Sequence, residues 1–402
     1  MERTARFVLR ASVAVAIAVC VASAAWAGGE PPGATPGGYG NLSFAAGRFD
    51  VAADAYAAAL AQSPADADAQ LGLATIALMR NRLDYAQRTV DAVLARDATN
   101  VRAQRLAGWI RQRRGPAGSY AFAQPRDAVT VPFVATDPLP ILHVRIGGRD
   151  ALFSIDTGAP DIVIDPGLAD ELHLPTADAG SGVFAGGKRA AVRTTVVSDI
   201  ELGGVRVADV PADVLPTRNL PFWPGHVADG VIGTGLLSRF LATIDYAHGA
   251  LVLRARDRSS AFEDEAARRG ADRVPMWLYG DHFIFARARI GSAPDALFSV
   301  DTGLAGGGLM ATKATLDAAH VALDENAAGV GQGGGGPVRV VPFSASATLG
   351  SITVPDVQGL YTPGGDPYGI FPFAVGGSIS HGFFRQFALT FDFDSMQLVV
   401  ER

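Results

Sequence analysis

The sequence contains one segment twice. Ala151–Gly158 reads ALFSIDTG, and Ala296–Gly303 reads ALFSVDTG, so their aspartates lie 145 residues apart. A second pair of matching segments follows at an offset of 147 residues, FLATID at 240–245 and FALTFD at 387–392. The spacing between the matching segments is almost the same in both copies, which predicts two homologous structural units.

Each unit has the sequence pattern of an all-β domain. Short apolar runs are separated by Gly, Pro and Asp, which favour turns between strands. The matching segments predict one β-lobe at 128–256 and a second at 274–402. The bridge at 257–273 is rich in Arg, Asp and Glu, which predicts a solvated linker with a turn or two of helix.

The first residues have the pattern of a secretory signal peptide, predicted at 1–27. Arg3, Arg6 and Arg10 precede an apolar run from Ala11 to Ala25, and a small–x–small cleavage pattern follows. A membrane-spanning helix needs about 18 uninterrupted apolar residues, and no later stretch of the sequence is that long. We therefore expect a periplasmic or secreted protein without a membrane span.

The composition excludes several classes of function. Apolar residues make up 49% of the chain and charged residues 18%, which suits a folded protein with a buried core. The net charge of −6 and the absence of a basic patch exclude a typical nucleic-acid-binding protein. The single cysteine excludes a disulfide scaffold and a zinc site built from several thiolates. We expect no metal and no organic cofactor.

A different repeat, with a period of 34 residues, lies before the β-lobes. After a Pro/Gly-rich segment at 28–40, predicted to be a flexible linker, small and aromatic residues recur at helical spacing over 41–114. This spacing resembles a tetratricopeptide repeat (TPR), in which small residues allow two antiparallel helices to approach closely. A plain alanine-rich helical hairpin is the alternative. Two repeats bury little apolar surface, so we expect this segment to dock on the following domain or on a partner protein.

The two β-lobes resemble the bacterial retropepsin-like aspartic peptidases. The resemblance rests on an apolar strand that ends in Asp-Thr-Gly and, about 75 residues later, on Gly-Val-Ile-Gly at 230–233 and a closing strand. It implies a pepsin-like arrangement of two homologous all-β lobes behind an N-terminal α-helical repeat. It also implies that Asp156 and Asp301 are catalytic, with four supporting residues: Thr157, Gly158, Thr302 and Gly303.

Peptide hydrolysis without a metal or a covalent nucleophile needs two carboxyl groups close together. They share one proton, because two carboxylates a few ångströms apart cannot both ionise. One then takes a proton from water while the other stabilises the developing oxyanion. Gly158 and Gly303 allow the backbone to turn sharply and to direct N–H groups at the carboxylates. The resemblance further implies that the Thr157 and Thr302 hydroxyls bond across to the opposite loop.

The residues after the two Asp-Thr-Gly segments are Ala159 and Leu304, where pepsin-like enzymes usually carry a hydroxyl that bonds the aspartate. Without that donor the ionised carboxylate is less stabilised, so the pKa values of the pair should be higher. We therefore expect an activity optimum less acidic than that of pepsin.

The second lobe departs from the pattern at its crossing strand. Ser380 aligns with Gly233, and Gly376-Gly377 lies nearby and offers a shifted register. Ser380 could crowd Asp301 or hydrogen-bond it, and either effect would reduce activity. A catalytically degenerate, peptide-binding protein is therefore the alternative hypothesis.

Glycine-rich segments at 180–187 and 329–336 follow the two Asp-Thr-Gly segments at the distances expected for hairpin flaps. Phe184 could serve as an aromatic lid or as a turn anchor. The isolated histidines His226 and His381 are interpreted as surface residues.

Together these features predict an exported, single-chain aspartic endopeptidase with a polypeptide substrate. The helical repeats could recruit a protein partner, and no nucleic-acid partner is expected. A third hypothesis has each lobe pairing with another chain, so that the two aspartates of one molecule lie apart.

Overall fold

The computed structural model describes residues 13–14, 20–21, 36–115, 120–184, 188–220, 222–223, 225–333, 336–364 and 366–402. Of the predicted signal peptide, only the two-residue strands β1 (Val13–Ala14) and β2 (Cys20–Val21) fall within these ranges. The rest of that prediction lies outside the described residues.

The next part of the chain is helical and forms α1 (Pro36–Ala45), α2 (Phe49–Gln62), α3 (Ala67–Met79), α4 (Leu83–Leu94) and α5 (Val101–Arg114). The 34-residue period of the sequence appears as repeated helix caps. The Asp66 side chain accepts the Ala69 N–H at 3.0 Å, and the Asn100 side chain accepts the Ala103 N–H at 3.0 Å. Each cap satisfies an otherwise unpaired N–H at the start of its helix, which fixes where α3 and α5 begin.

The predicted flexible linker at 28–40 is wrong at its end, because α1 already begins at Pro36. Proline is well tolerated in the first turn of a helix. A Cβ on Gly40 would lie 2.6 Å from the Tyr56 ring, so glycine lets α1 approach α2 closely. The Tyr56 hydroxyl also donates to the Asn41 side chain at 2.7 Å. Packing against α2 therefore overrides the low helix propensity of this glycine-rich segment.

The first β-lobe contains β3 (Val129–Ala135), β4 (Ile141–Ile146), β5 (Arg149–Ile155), β6 (Ile162–Ile164), β7 (Ala177–Phe184), β8 (Lys188–Leu202), β9 (Val205–Val214), β10 (Gly230–Ile232), β11 (Leu241–Asp245) and β12 (Ala250–Arg254), with short helices α6 (Pro166–Glu171) and α7 (Thr234–Leu237). The next helix, α8 (Ser259–Arg268), precedes the second lobe.

The second lobe contains β13 (Asp272–Tyr279), β14 (Phe283–Ile290), β15 (Ala296–Val300), β16 (Leu309–Ala311), β17 (Gly329–Gly333), β18 (Gly336–Leu349), β19 (Ile352–Tyr361), β20 (Gly377–Ile379), β21 (Ala388–Asp392) and β22 (Gln397–Glu401), with α9 (Lys313–Ala318) and α10 (His381–Phe384).

The duplicated sequence gives duplicated strand pairing. In the first lobe β10 crosses beside β5 in parallel, with Ile232 opposite Ile155. In the second lobe β20 crosses beside β15 in parallel, with Ile379 opposite Val300. Each crossing strand therefore runs directly behind a strand that leads into an Asp-Thr-Gly turn.

One antiparallel sheet joins the two lobes, in the order β3–β12–β11–β21–β22–β13. Each lobe supplies three of its strands, and the lobes meet where β11 pairs with β21. At this seam the buried hydroxyls of Thr243 and Thr390 lie 2.7 Å apart and hydrogen-bond each other. Both lobes are thus parts of one hydrogen-bonded layer.

The segment between the lobes is more ordered than predicted. Within the expected solvated linker at 257–273, α8 extends over ten residues and β13 already begins at Asp272. Phe262 and Ala266 of α8 are buried against Leu241 and Val399, one residue from each lobe. The charged residues that suggested a linker occupy the other face of an amphipathic helix.

The helices α1–α5 dock on the second lobe of the same chain, as one of the two expected outcomes. Phe49 is fully buried, with its ring centroid 5.5 Å from that of Trp277 and 5.0 Å from that of Phe373. The Asn81 side chain donates to the Phe393 carbonyl at 2.9 Å. None of the helices in the described part of the chain is long and apolar enough to cross a membrane.

Candidate active site

The two Asp-Thr-Gly turns lie at equivalent places in the two lobes. β5 ends immediately before Asp156, whose backbone N–H donates to the Ile232 carbonyl at 3.0 Å. β15 ends immediately before Asp301, whose N–H donates to the Ile379 carbonyl at 3.1 Å. The crossing strand of each lobe therefore holds its aspartate at the strand end.

The threonines of the two turns bond to each other across the lobes. The Thr157 N–H donates to Thr302 Oγ1 at 3.0 Å, and the Thr302 N–H donates to Thr157 Oγ1 at 3.1 Å. The Thr157 hydroxyl also donates to the Val300 carbonyl at 2.9 Å. Both threonines are buried, so water does not compete for these bonds. The bonds implied by the family resemblance are present, and they fix the two turns face to face.

The glycines bring each turn against the opposite carboxyl group. The Gly158 N–H donates to Asp156 Oδ1 at 2.7 Å, and the Gly303 N–H donates to Asp301 Oδ1 at 3.0 Å. A Cβ on Gly158 would lie 2.8 Å from the carboxyl atoms of Asp301, and one on Gly303 would overlap the carboxyl group of Asp156. Any side chain at either position would therefore push the two turns apart.

The structure brings the two carboxyl groups together in one molecule. Their side chains are hydrogen-bonded to each other, and Asp156 is only 3% exposed. Burial raises the pKa of Asp301, and its hydrogen bonds with the Gly303 N–H and with Asp156 oppose this rise. Such a pair shares a single proton and titrates as a unit. The hypothesis that the aspartates of one chain lie apart does not fit this geometry.

Ser380 takes the register of Gly233, and no shift toward Gly376-Gly377 occurs. Its hydroxyl oxygen accepts the Leu304 N–H at 3.1 Å, so it holds the loop that follows the second turn. In the first lobe the same position requires glycine, since a Cβ on Gly233 would lie 2.7 Å from the Ala159 carbonyl oxygen. The serine therefore supports the Leu304 loop.

The interpretation of His381 as a surface residue is wrong. The side chain is fully buried, and its Nε2 lies 2.9 Å from Asp137 Oδ1, in the β3–β4 turn of the other lobe. Burial lowers the pKa of His381, and Asp137 opposes this fall. Arg385 pairs with the same carboxylate at 2.6 Å. Because Asp137 lies 244 residues away in the chain, sequence spacing gave no sign of this contact. His226 is exposed, as expected.

Hairpins β7–β8 and β17–β18 occupy the positions predicted for flaps, although residues 185–187 and 334–335 at their turns lie outside the described ranges. Phe184 is 3% exposed and packs in one apolar cluster with Ala159, Val163 and Val231. It thus reaches from the flap to the residue that follows the first Asp-Thr-Gly, which favours its interpretation as a lid residue.

Sequence reasoning missed the apolar surfaces beside the two turns. In the second lobe Leu304, Met310, Val340 and Leu360 form a cluster equivalent to that around Ala159. It also missed Tyr246, which is 4% exposed and has a pKa raised by burial and by the two nearby aspartates. These residues come from strands and turns whose register depends on the fold, so no local motif identifies them.

Two segments of the chain match known families. Residues 142–236 match the family model described as aspartyl protease, and residues 43–110 match the one described as tetratricopeptide repeat. The aspartyl protease match includes Asp156, whereas Asp301 lies in the repeated unit beyond it. The chain thus carries a retropepsin-like aspartyl protease segment behind a TPR-like helical segment. No curated protein sequence matches it.

Two solved structures show remote similarity. One is the crystal structure of a retropepsin-like aspartic protease from Rickettsia conorii, with 17% identity, a TM-score of 0.23 and coverage of 34% of this chain and 95% of that chain. The other is that of basic 7S globulin from soybean, with 9% identity, a TM-score of 0.40 and coverage of 69% of this chain and 95% of that chain. With TM-scores below 0.5, neither structure bears on the function of this chain.

Proposed function

We propose that this protein is an exported aspartic endopeptidase that hydrolyses peptide bonds with water activated between Asp156 and Asp301. The proposal rests above all on the reciprocal bonds between Thr157 and Thr302, which hold the buried carboxyl group of Asp156 and the half-buried one of Asp301 face to face, hydrogen-bonded to each other. The arginine-flanked apolar run at the N-terminus supports export.

The carboxyl pair with its single proton supports the following reaction. The ionised carboxylate takes a proton from a bound water, whose oxygen attacks the scissile carbonyl carbon. The protonated carboxyl group gives its proton to the carbonyl oxygen, which yields a neutral tetrahedral diol. The carboxyl group that holds the water's proton then gives it to the amide nitrogen. As the C–N bond breaks, one hydroxyl of the diol returns its proton to the pair, so that the products are a carboxylic acid and an amine and the pair again holds a single proton.

The surroundings of the pair suit an extended peptide. Such a peptide can add as a strand along the flap hairpins, with backbone hydrogen bonds that do not depend on its sequence. The apolar clusters around Ala159 and Leu304 lie beside the two turns and can receive side chains on either side of the scissile bond.

The helical segment contacts the second lobe, which supports a role as a structural brace.

The proposal is tested by incubating the full chain with a diverse peptide pool, with and without pepstatin. We expect internal cleavage that pepstatin abolishes, because a transition-state analogue binds the shared-proton pair more tightly than substrate does. Binding of peptides without cleavage would instead support the peptide-binding alternative. Cleavage insensitive to pepstatin would assign the activity to another mechanism.

The pH dependence of cleavage gives a second test. Activity requires one proton on the pair, so it falls at low pH as a second proton binds. Burial raises the pKa of Asp301, and Ala159 and Leu304 supply no hydroxyl to lower it again. We expect the kcat/KM profile to rise with pH through its acid limb and to reach its maximum at a less acidic pH than that of pepsin. A maximum near about pH 2 would contradict this expectation.

A further inference from the structure

Asp213, on β9, is a buried carboxylate that the proposed reaction does not use. Its side chain is only 7% exposed. Its Oδ2 has no hydrogen-bond partner among the residues that the structure describes. An unpaired carboxylate away from water is costly for a folded protein, so its presence calls for an explanation.

The strand register places Asp213 on the cleft side of the first lobe. β6 and β9 run in parallel, with Val163 directly opposite Asp213. The neighbouring pair, Ile162 and Ala212, points into the core of the lobe. Residues opposite each other share a face of the sheet, so Asp213 shares the face of Val163, which packs with Ala159 under the flap.

Among the residues that the structure describes, no cationic side chain pairs directly with Asp213. Burial, and then the charges of Asp161 and Asp281, raise the pKa of Asp213 to about 7, while His282 has a smaller opposing effect. His282 is itself engaged by Asp281 through its Nδ1. Asp161, in contrast, accepts the Tyr120 hydroxyl and has a nearby arginine.

That arginine, Arg239, is held in place by another contact. Its guanidinium carbon lies 3.9 Å from the centre of the Tyr120 ring, and its charge acts on Asp161. Among the described residues, no arginine contributes to the electrostatics of Asp213. Within the described part of the chain, Asp213 therefore has only the weak influence of His282, which is already bonded to Asp281, and no counter-charge of its own.

The second lobe provides an internal comparison. Leu360 pairs with Met310 on β16 as Asp213 pairs with Val163 on β6. Leu360 is buried within the apolar cluster of that lobe. The two halves of the cleft are therefore chemically different at one equivalent position, with a carboxylate in one and an aliphatic side chain in the other.

We propose that Asp213 forms an acidic subsite in the first lobe, which binds a lysine or arginine side chain of the peptide substrate on one side of the scissile bond. This inference rests on the proposed peptidase function. The bound ammonium or guanidinium group supplies the missing counter-charge, and the apolar stem of the side chain packs along the Val163 face.

The test uses peptides that differ by a single residue, lysine or norleucine, at each position around the cleavage site. We expect one position, on one side only, at which lysine raises kcat/KM roughly ten- to a hundredfold, as a buried charge-assisted hydrogen bond would. This ratio should increase between about pH 5 and about pH 7, as a larger fraction of Asp213 ionises. In Asp213→Asn the ratio should fall close to one.

Asp209→Asn is the matched control, because it makes the same substitution at an exposed position of the same strand. It should leave the lysine-to-norleucine ratio unchanged. If the wild type cleaves both series with no preference for lysine at any position, the acidic subsite is wrong, whether or not Asp213→Asn folds. An equal lysine preference in the wild type and in Asp213→Asn also overturns it. If no peptide is cleaved at all, the proposed function itself fails.

Discussion

Replacing Asp156 or Asp301 by asparagine is expected to reduce kcat/KM for peptide cleavage by about a thousandfold or more. Asparagine keeps the size and shape of the side chain but cannot share a proton. Without the ionised carboxylate, water loses its base. Without the protonated carboxyl group, the carbonyl oxygen loses its proton donor. Because the two groups act as a unit, the double variant should be little worse than either single one.

The asparagine variants should remain folded. Burial raises the pKa of Asp301, so the native state disfavours its ionised form and loses stability as the pH rises through the range between its unfolded-state and native-state pKa values. Asparagine does not ionise and avoids this loss. Thermal unfolding at neutral pH should therefore show Asp301→Asn to be at least as stable as the wild type.

Cleavage at one tenth or more of the wild-type rate by either folded variant would show that the aspartates are assigned wrongly.

Replacing Phe49 by alanine should lower the free energy of unfolding by about 3–5 kcal/mol. Phe49 is fully buried between the helical segment and the second lobe, and it contacts the rings of Phe44, Trp277 and Phe373. The edge-to-face geometry with Trp277 and Phe373 adds to the loss of buried area. Alanine would leave a cavity at the contact by which the helices are docked.

Chemical denaturation followed by far-UV circular dichroism measures this effect. Val51→Ala is the control, because Val51 lies on the same helix and is 38% exposed. It should change the free energy of unfolding by about 0.5 kcal/mol or less. A loss of less than about 1 kcal/mol in Phe49→Ala would show that the helices do not depend on this contact.

The catalytic turns could be predicted from sequence because their chemistry is local and occurs twice. Each Asp-Thr-Gly segment ends an apolar strand, and the duplication predicts that equivalent turns face each other. The same reasoning could not place His381, because its partner Asp137 is distant in the chain and lies in the other lobe.

The orientation of Asp213 shows a second reason for failure. Side chains alternate between the two faces of a strand. If this alternation were unbroken along β9, Asp213 would share the core-facing side of Val205 and Val207 and point into the core of the lobe. In the structure the backbone of Asp209 has a positive φ of 54°, and the core-facing positions become Val210, Ala212 and Val214. An irregularity of the backbone at one residue thus decides which face of the sheet carries the carboxylate. No motif in the sequence predicts this backbone irregularity at Asp209.

The sheet that joins the lobes has a consequence for how this molecule can diversify. When identical subunits assemble around a twofold axis, every substitution is made on both sides at once. Here the halves are covalently fused, so each can change independently. The differences between Gly233 and Ser380, and between Asp213 and Leu360, reflect this freedom. A polypeptide substrate has a direction, from its amino to its carboxyl end, and an asymmetric receptor can distinguish one end from the other.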